Sequence, residues 1–140
     1  GNHAISLNRT RFWTGMEQRL DARCVTEGSS WNIEMKLKLT DKVTGLPAWC
    51  DPTTMNRRKK ACPHVSIVAK DDQGKQTIIE TRMYTNAVTW ATDEWNTWQT
   101  NEFEVDQYLA AYNHVYVQIR RFDIAWQIEI DDFFVTPSQA

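Results

Sequence analysis

Apolar residues recur at every second position through the last third of the chain, and that period leaves few folds open. Between Asn113 and Val135, Val115, Val117 and Ile119 fall on one side of an extended backbone, and Tyr116, Gln118 and Arg120 on the other. This is the pattern of a strand buried on one face. Ile124, Trp126, Ile128 and Ile130 share one face of a second run that ends at Asp131-Asp132, after which Phe133 and Val135 form the inward pair. A slip of one residue at that point predicts a bulge at the double aspartate. The two runs together predict a final hairpin serving as the spine of a β-sandwich.

Upstream, Trp31, Ile33, Met35, Leu37 and Leu39 alternate with Asn32, Glu34, Lys36 and Lys38. Apolar residues spaced by two would scatter around a helix, so this segment is a strand. Val65 to Lys70 and Gln76 to Tyr84 flank Asp71-Asp72-Gln73-Gly74, a hairpin signal. Asn8 to Leu20 reads as strand, kink, strand, with Gly15 permitting the bend. Thr85 to Trp98 is turn-like, Asn101 to Val105 is a short strand, and Gln107 to Ala111 forms a helical turn. Asp41 to His64 has no period and holds Gly45, Pro47, Pro52 and Pro63. It is a loop long enough to be functional or an insertion. Short strands at regular intervals with almost no helix predict an all-β sandwich. At 140 residues the chain, 1-140, fits a single domain able to bury its own core.

A net charge of -2 lacks the basic excess that nucleic-acid binding needs, so no nucleic-acid partner is expected. No membrane association is expected either, because no apolar run is long enough to span a bilayer. Gly-Asn-His-Ala at the start lacks the basic and apolar stretches of a signal peptide, so a secreted protein would have lost its signal or carried it on a larger parent. Cys50 and Cys62 bracket a segment rich in Pro, Thr, Asn and basic residues, a loop that a disulfide would close. Such a bridge implies an oxidising compartment, and hence an extracellular protein. Cys24, in an apolar-alternating stretch, reads as a buried thiol. The run Asn56-Arg57-Arg58-Lys59-Lys60 is either a solvated loop tip or a contact for an anionic partner such as an acidic polysaccharide.

The chain holds seven tryptophans, more than a sandwich core accommodates. The surplus rings read as contact surfaces for a flat apolar ligand face such as a sugar ring, the alternative being core or loop packing. No nucleophile stands beside a base, and no carboxylate pair is placed for acid and base work, so no enzyme is expected. Asp131 and Asp132 are the one concentrated carboxylate pair, but adjacent strand residues point to opposite faces. One of them could ligate a hard cation such as calcium together with backbone carbonyls. The alternative is a bulge held by side-chain to backbone hydrogen bonds.

The segments Arg9-x-x-x-Trp13-x-Gly15-x-x-Gln18-x-Leu20, Gly28-x-x-Trp31 with Lys36, Trp95 before Phe103-x-Val105, Val115-Tyr116-Val117 and Ile130-Asp131-Asp132-Phe133-x-Val135 occur in that order. Together they resemble the galactose-binding-like β-sandwich, a jelly roll, of carbohydrate-binding modules in families four, nine and twenty-two. The resemblance runs from about Asn8 to Val135, and the segment from Gly45 to His64 has no counterpart in it. It implies a non-catalytic module that binds β-linked polysaccharide such as xylan or glucan along a cleft on one sheet, often with a structural calcium elsewhere. By position, Arg9 matches the arginine of the Arg-x-x-x-Trp motif. Tyr116 and Gln118 match the cleft Tyr-x-Glu, Gln118 standing in place of the acid. Met35 stands where a sugar-stacking tryptophan is expected.

The residues alone offer the same strand face: Tyr116 supplies a ring, and Gln118 and Arg120 supply donors and acceptors for hydroxyls. Two readings follow. One is a carbohydrate-binding module of a larger multidomain secreted protein; the other is a protein-interaction or adhesion domain on the same sandwich. Tryptophans lining a groove favour the first, and a flat aromatic patch favours the second.

Overall fold

The computed structural model describes residues 4–6, 16–21, 23, 25–52, 60–83, 89–99, 102–112 and 114–138. Arg9, Trp13, Cys24 and the basic run up to Lys59 lie outside the described residues. The elements are β1 (Ala4–Ser6), β2 (Met16–Arg19), β3 (Ser30–Asp41), β4 (His64–Lys70), β5 (Gln76–Met83), β6 (Asn96–Gln99), β7 (Phe103–Glu104), α1 (Gln107–Ala110), β8 (His114–Arg120) and β9 (Trp126–Pro137). One sheet, A, runs β1-β9-β3-β6 with β7 also on β3; the other, B, runs β2-β8-β4-β5. All strand pairs are antiparallel. This is the expected all-β sandwich. No helix among the described residues is long and apolar enough to cross a membrane.

The core forms where the alternating faces meet. Ile33, Met35 and Leu37 on β3 and Ile128 on β9 are fully buried, as is Val117 on β8. Each such side chain contributes about 1.5–3 kcal/mol of transfer free energy. The hairpin between β4 and β5 is as expected. Asp71 Oδ1 accepts from the amides of Gln73 at 2.9 Å and Lys75 at 2.8 Å, and Gly74 takes a φ of 83° that a side chain would strain. Asp106 caps α1, its side chain accepting from the Leu109 amide.

Three details depart from the sequence reading. β8 and β9 are not a hairpin: β8 belongs to sheet B and β9 to sheet A, so the chain crosses the core at residues 121–125. Their apolar faces then oppose each other across the sandwich instead of lying side by side. Ile124, expected to begin the second run, sits in that crossing and is 43% exposed. Trp98, placed in a turn by sequence, belongs to β6, where it pairs with Met35 and is buried. Met35, which stands where the resemblance expects a sugar-stacking tryptophan, is core, as its place in the β3 alternation required.

The bulge is where the sequence placed it. Glu34 pairs with Phe134 and Lys36 with Asp131, so two steps along β3 meet three along β9. Asp132 carries the strain with a φ of 50°, a region that aspartate tolerates better than most residues. Beyond it, Phe133 and Val135 pack against the core.

The cysteine pair is also as expected. Cys50 and Cys62 are bonded, and both are buried. The bridge ties the start of the 50–62 loop to its end, where Asp51 bridges Ala61 and the Asp51 amide donates to the Lys60 carbonyl at 2.8 Å.

Candidate functional site

The outer face of sheet B collects polar side chains in rows set by strand register. Glu17 on β2 stands opposite Gln118 on β8, Gln118 opposite Ser66 on β4, and Ser66 opposite Thr81 on β5. The next row holds Arg19, Tyr116, Val68 and Ile78. Beyond the two rows lie His114, Lys70 and Gln76 on one side, and Arg120 with His64 on the other. Tyr116, Gln118 and Arg120 thus share one face, as their spacing required, with Val115, Val117 and Ile119 turned into the core.

Hydrogen bonds link the rows. Lys70 Nζ donates to Glu17 Oε1 at 2.9 Å and to Oε2 at 3.1 Å. Gln118 Nε2 donates to Glu17 Oε2 at 2.9 Å and to Gln76 Oε1 at 3.0 Å. Ser66 Oγ and Thr81 Oγ1 share a hydrogen bond of 3.0 Å. Lys70 Nζ also lies 4.4 Å from the centroid of the Tyr116 ring. These side chains bridge over the row of Val68, which is fully buried despite facing outward. Tyr116 is half-buried, so its ring contributes both to the face and to its packing.

The electrostatics follow the contacts. Burial would raise the pKa of Glu17, but hydrogen bonds from Lys70 and Gln118 and the lysine charge outweigh it, holding the carboxyl below its usual value. Burial drives His64 down to about 4, with Arg121 and Arg120 adding repulsion, so its imidazole is neutral. Arg120 is likewise lowered, by burial first and Arg121 second.

Sequence reasoning brought Tyr116, Gln118 and Arg120 together, but it missed Glu17, Lys70 and Gln76. The alternation of Met16 and Gln18 with Glu17 and Arg19 was available as a signal. The partner strand was not. Arg9 lies outside the described residues.

Two other places hold features of a site, the double aspartate and a cavity at the edge of the sandwich. At the double aspartate, Asp131 Oδ1 accepts from the Asp132 amide at 2.8 Å, a local side-chain to backbone hydrogen bond within the bulge. No group of three or more His, Cys, Asp or Glu that could hold a metal ion occurs among the described residues. A cavity of about 350 Å³ opens between the sheets, lined by Met16, Leu20, Ile119, Ile130 and Phe133 among others. Apolar side chains form most of its wall, Glu17 and Arg19 also line it, and Tyr116, Gln118 and Arg120 do not.

Of the tryptophans among the described residues, Trp49 is 46% and Trp95 37% exposed, while Trp90, Trp98 and Trp126 are buried. The exposed pair lies away from Tyr116. Lys38 Nζ sits 4.9 Å from the Trp95 ring on the outside of sheet A. The segment bearing Trp49 runs beside the end of β3, with Pro47 bridged to Thr40 and the Ala48 amide donating to the Leu39 carbonyl.

No family of known proteins matches the sequence, and no curated protein does. Solved structures do share the fold. The tandem CBM22-1-CBM22-2 domain of Paenibacillus barcinonensis Xyn10C superposes with a TM-score of 0.61 at 15% identity, over 97% of this chain and 34% of that one. The CBM22-1 xylan-binding domain of the same protein gives a TM-score of 0.56 at 15% identity, over 97% of this chain and 72% of that one. This chain therefore spans about a third of the tandem structure. At such identity the likeness establishes the sandwich fold.

Proposed function

We propose that this chain is a non-catalytic carbohydrate-binding module that takes β-linked polysaccharide, of the xylan or glucan type, on the outer face of sheet B. The observation that carries the reading is the hydrogen-bonded row of Glu17, Gln118 and Gln76 beside the half-buried Tyr116 ring. Carboxylate and amide groups next to an aromatic face are what a sugar's alternating hydroxyl edge and apolar ring face require. Arg9, Tyr116, Gln118 and Arg120 are the proposed ligand-binding residues. The shared fold with a xylan-binding domain supports the substrate class.

Targeting of a larger secreted protein to glycan belongs to the same proposal, with the Cys50–Cys62 bridge as support for an oxidising compartment. So does a structural calcium at Asp131 and Asp132. Because Asp131 Oδ1 already accepts the Asp132 amide, Asp131 Oδ2, the Asp132 carboxylate and backbone carbonyls are the oxygens available to such an ion.

Tyr116→Ala tests the site. Loss of the ring should cost on the order of 1–3 kcal/mol of glycan binding, by analogy with base stacking on aromatics, while the thermal transition stays cooperative. Unchanged binding to xylan and β-glucan would refute the site, and loss of folding would make Tyr116 a structural residue.

A second reading, a protein-interaction or adhesion domain, is favoured by one observation: exposed Trp49, Trp95 and Phe134 lie away from the Tyr116 face. Pull-down by polysaccharide that persists in Trp95→Ala and disappears in Tyr116→Ala would decide for the first.

A further inference from the structure

Among the described residues, Arg120 on the outer face of sheet B stands without a carboxylate counterion. Arg120 is 7% exposed, and its Nε is buried with no hydrogen-bond partner. Its Nη1 reaches only the amide oxygen of Gln118, at 3.5 Å, the outer limit of a hydrogen bond. A guanidinium has five donors and cannot shed its proton, so burial without a carboxylate is costly.

The acids nearby are already engaged. Glu17 holds Lys70 and Gln118. Asp123 accepts from the amides of Lys60 and Ala125 through its two oxygens. The other neighbours add positive charge or none. Arg121 follows directly in sequence and its charge acts on Arg120, and His64 opposite Arg120 is held neutral. The end of this face near Arg120 is thus a cationic corner with an unsatisfied donor, adjoining the Gln118 row.

We infer that Arg120 is an anion-reading position, and that the polysaccharide this face takes bears carboxylates, as a uronic-acid-containing β-linked glycan does. A carboxylate is the planar, bidentate partner that a guanidinium fork fits best. The inference rests on the reading of this face as a glycan site and narrows it from neutral to acidic chains. It also gives Gln118 a role that an acid could not fill. An amide oxygen beside Arg120 leaves the guanidinium charge uncancelled, whereas a carboxylate there would pair with it internally.

Calorimetric titration of the whole chain tests this with two pairs of hexasaccharides: cellohexaose against β-1,4-linked hexaglucuronate, and xylohexaose against the same chain with a glucuronic acid branch. The acidic member of at least one pair should bind at least about tenfold tighter, an advantage shrinking as salt rises. Methyl esterification of the acid should abolish the preference, and that comparison needs no variant. Arg120→Gln should lose the preference and Arg120→Lys should retain part of it. Equal binding of acid, ester and neutral chains would overturn the inference while leaving the glycan-binding reading standing. Absence of binding to all four would overturn both.

Discussion

Lys70 holds its ammonium 4.4 Å from the centroid of the Tyr116 ring while bonding both oxygens of Glu17. The ring expected to stack on sugar is thereby shared with a cation, which a ligand must displace or incorporate. Lys70→Met removes a half-exposed ion pair and a cation–π contact, so stability should fall by about 1 kcal/mol. With the ring uncovered, affinity for neutral β-glucan should rise a few-fold in titration calorimetry. A fall in affinity would instead identify Lys70 as a direct sugar ligand.

His64 makes stability depend on pH. Its folded pKa, about 4, is below the ordinary 6.5, so the unfolded chain binds the proton more readily. The stabilisation is present above the ordinary value and is lost as pH falls from there through the folded value. That amounts to about 2 kcal/mol between roughly pH 7 and pH 5. Urea midpoints at the two pH values should diverge for the native chain and converge for His64→Asn. Parallel behaviour would mean that His64 is protonated in the folded state.

Glu17 acts at lower pH. Its pKa is lowered by hydrogen bonds and charge that outweigh burial, so its contribution holds above the ordinary carboxylate value and disappears as pH drops through the folded one. Glu17→Gln should flatten the acid limb of the stability curve. It should also loosen Gln118, readable as a changed glycan affinity at neutral pH.

The Cys50–Cys62 bridge spans a sequence separation of 12. Closing a loop of that size in the unfolded chain is worth about 3 kcal/mol. Reduction, or Cys50→Ser with Cys62→Ser, should lower the melting temperature accordingly. Glycan affinity should change little if the 50–62 loop stands apart from the Tyr116 row, and a large loss would place the loop in the site.

Calcium at Asp131 and Asp132 would bind the native state alone and so raise the melting temperature. Scans with calcium and with EDTA should differ, and Asp132→Asn should erase the difference. Coincident scans together with a metal-free elemental analysis would assign the double aspartate to the bulge alone.

Alternation at Trp31 to Leu39 and Val115 to Ile119, the Asp71 to Gly74 turn, the slip at Asp131-Asp132 and the Cys50–Cys62 loop were all legible in the sequence. Each is decided by neighbours within a few residues, or by a pairing with little choice. Alternation states that one face of a strand is buried; it does not state against what. The same pattern at 126–130 therefore served equally for a hairpin with β8 and for a strand in the opposite sheet. The alternation put Met35 on the buried face but did not state that its neighbour there would be Trp98. Glu17 and Gln118 meet across 101 positions, and the burial that strips Arg120 of partners comes from the packed face. Such contacts depend on register between distant strands, which only the assembled sandwich sets.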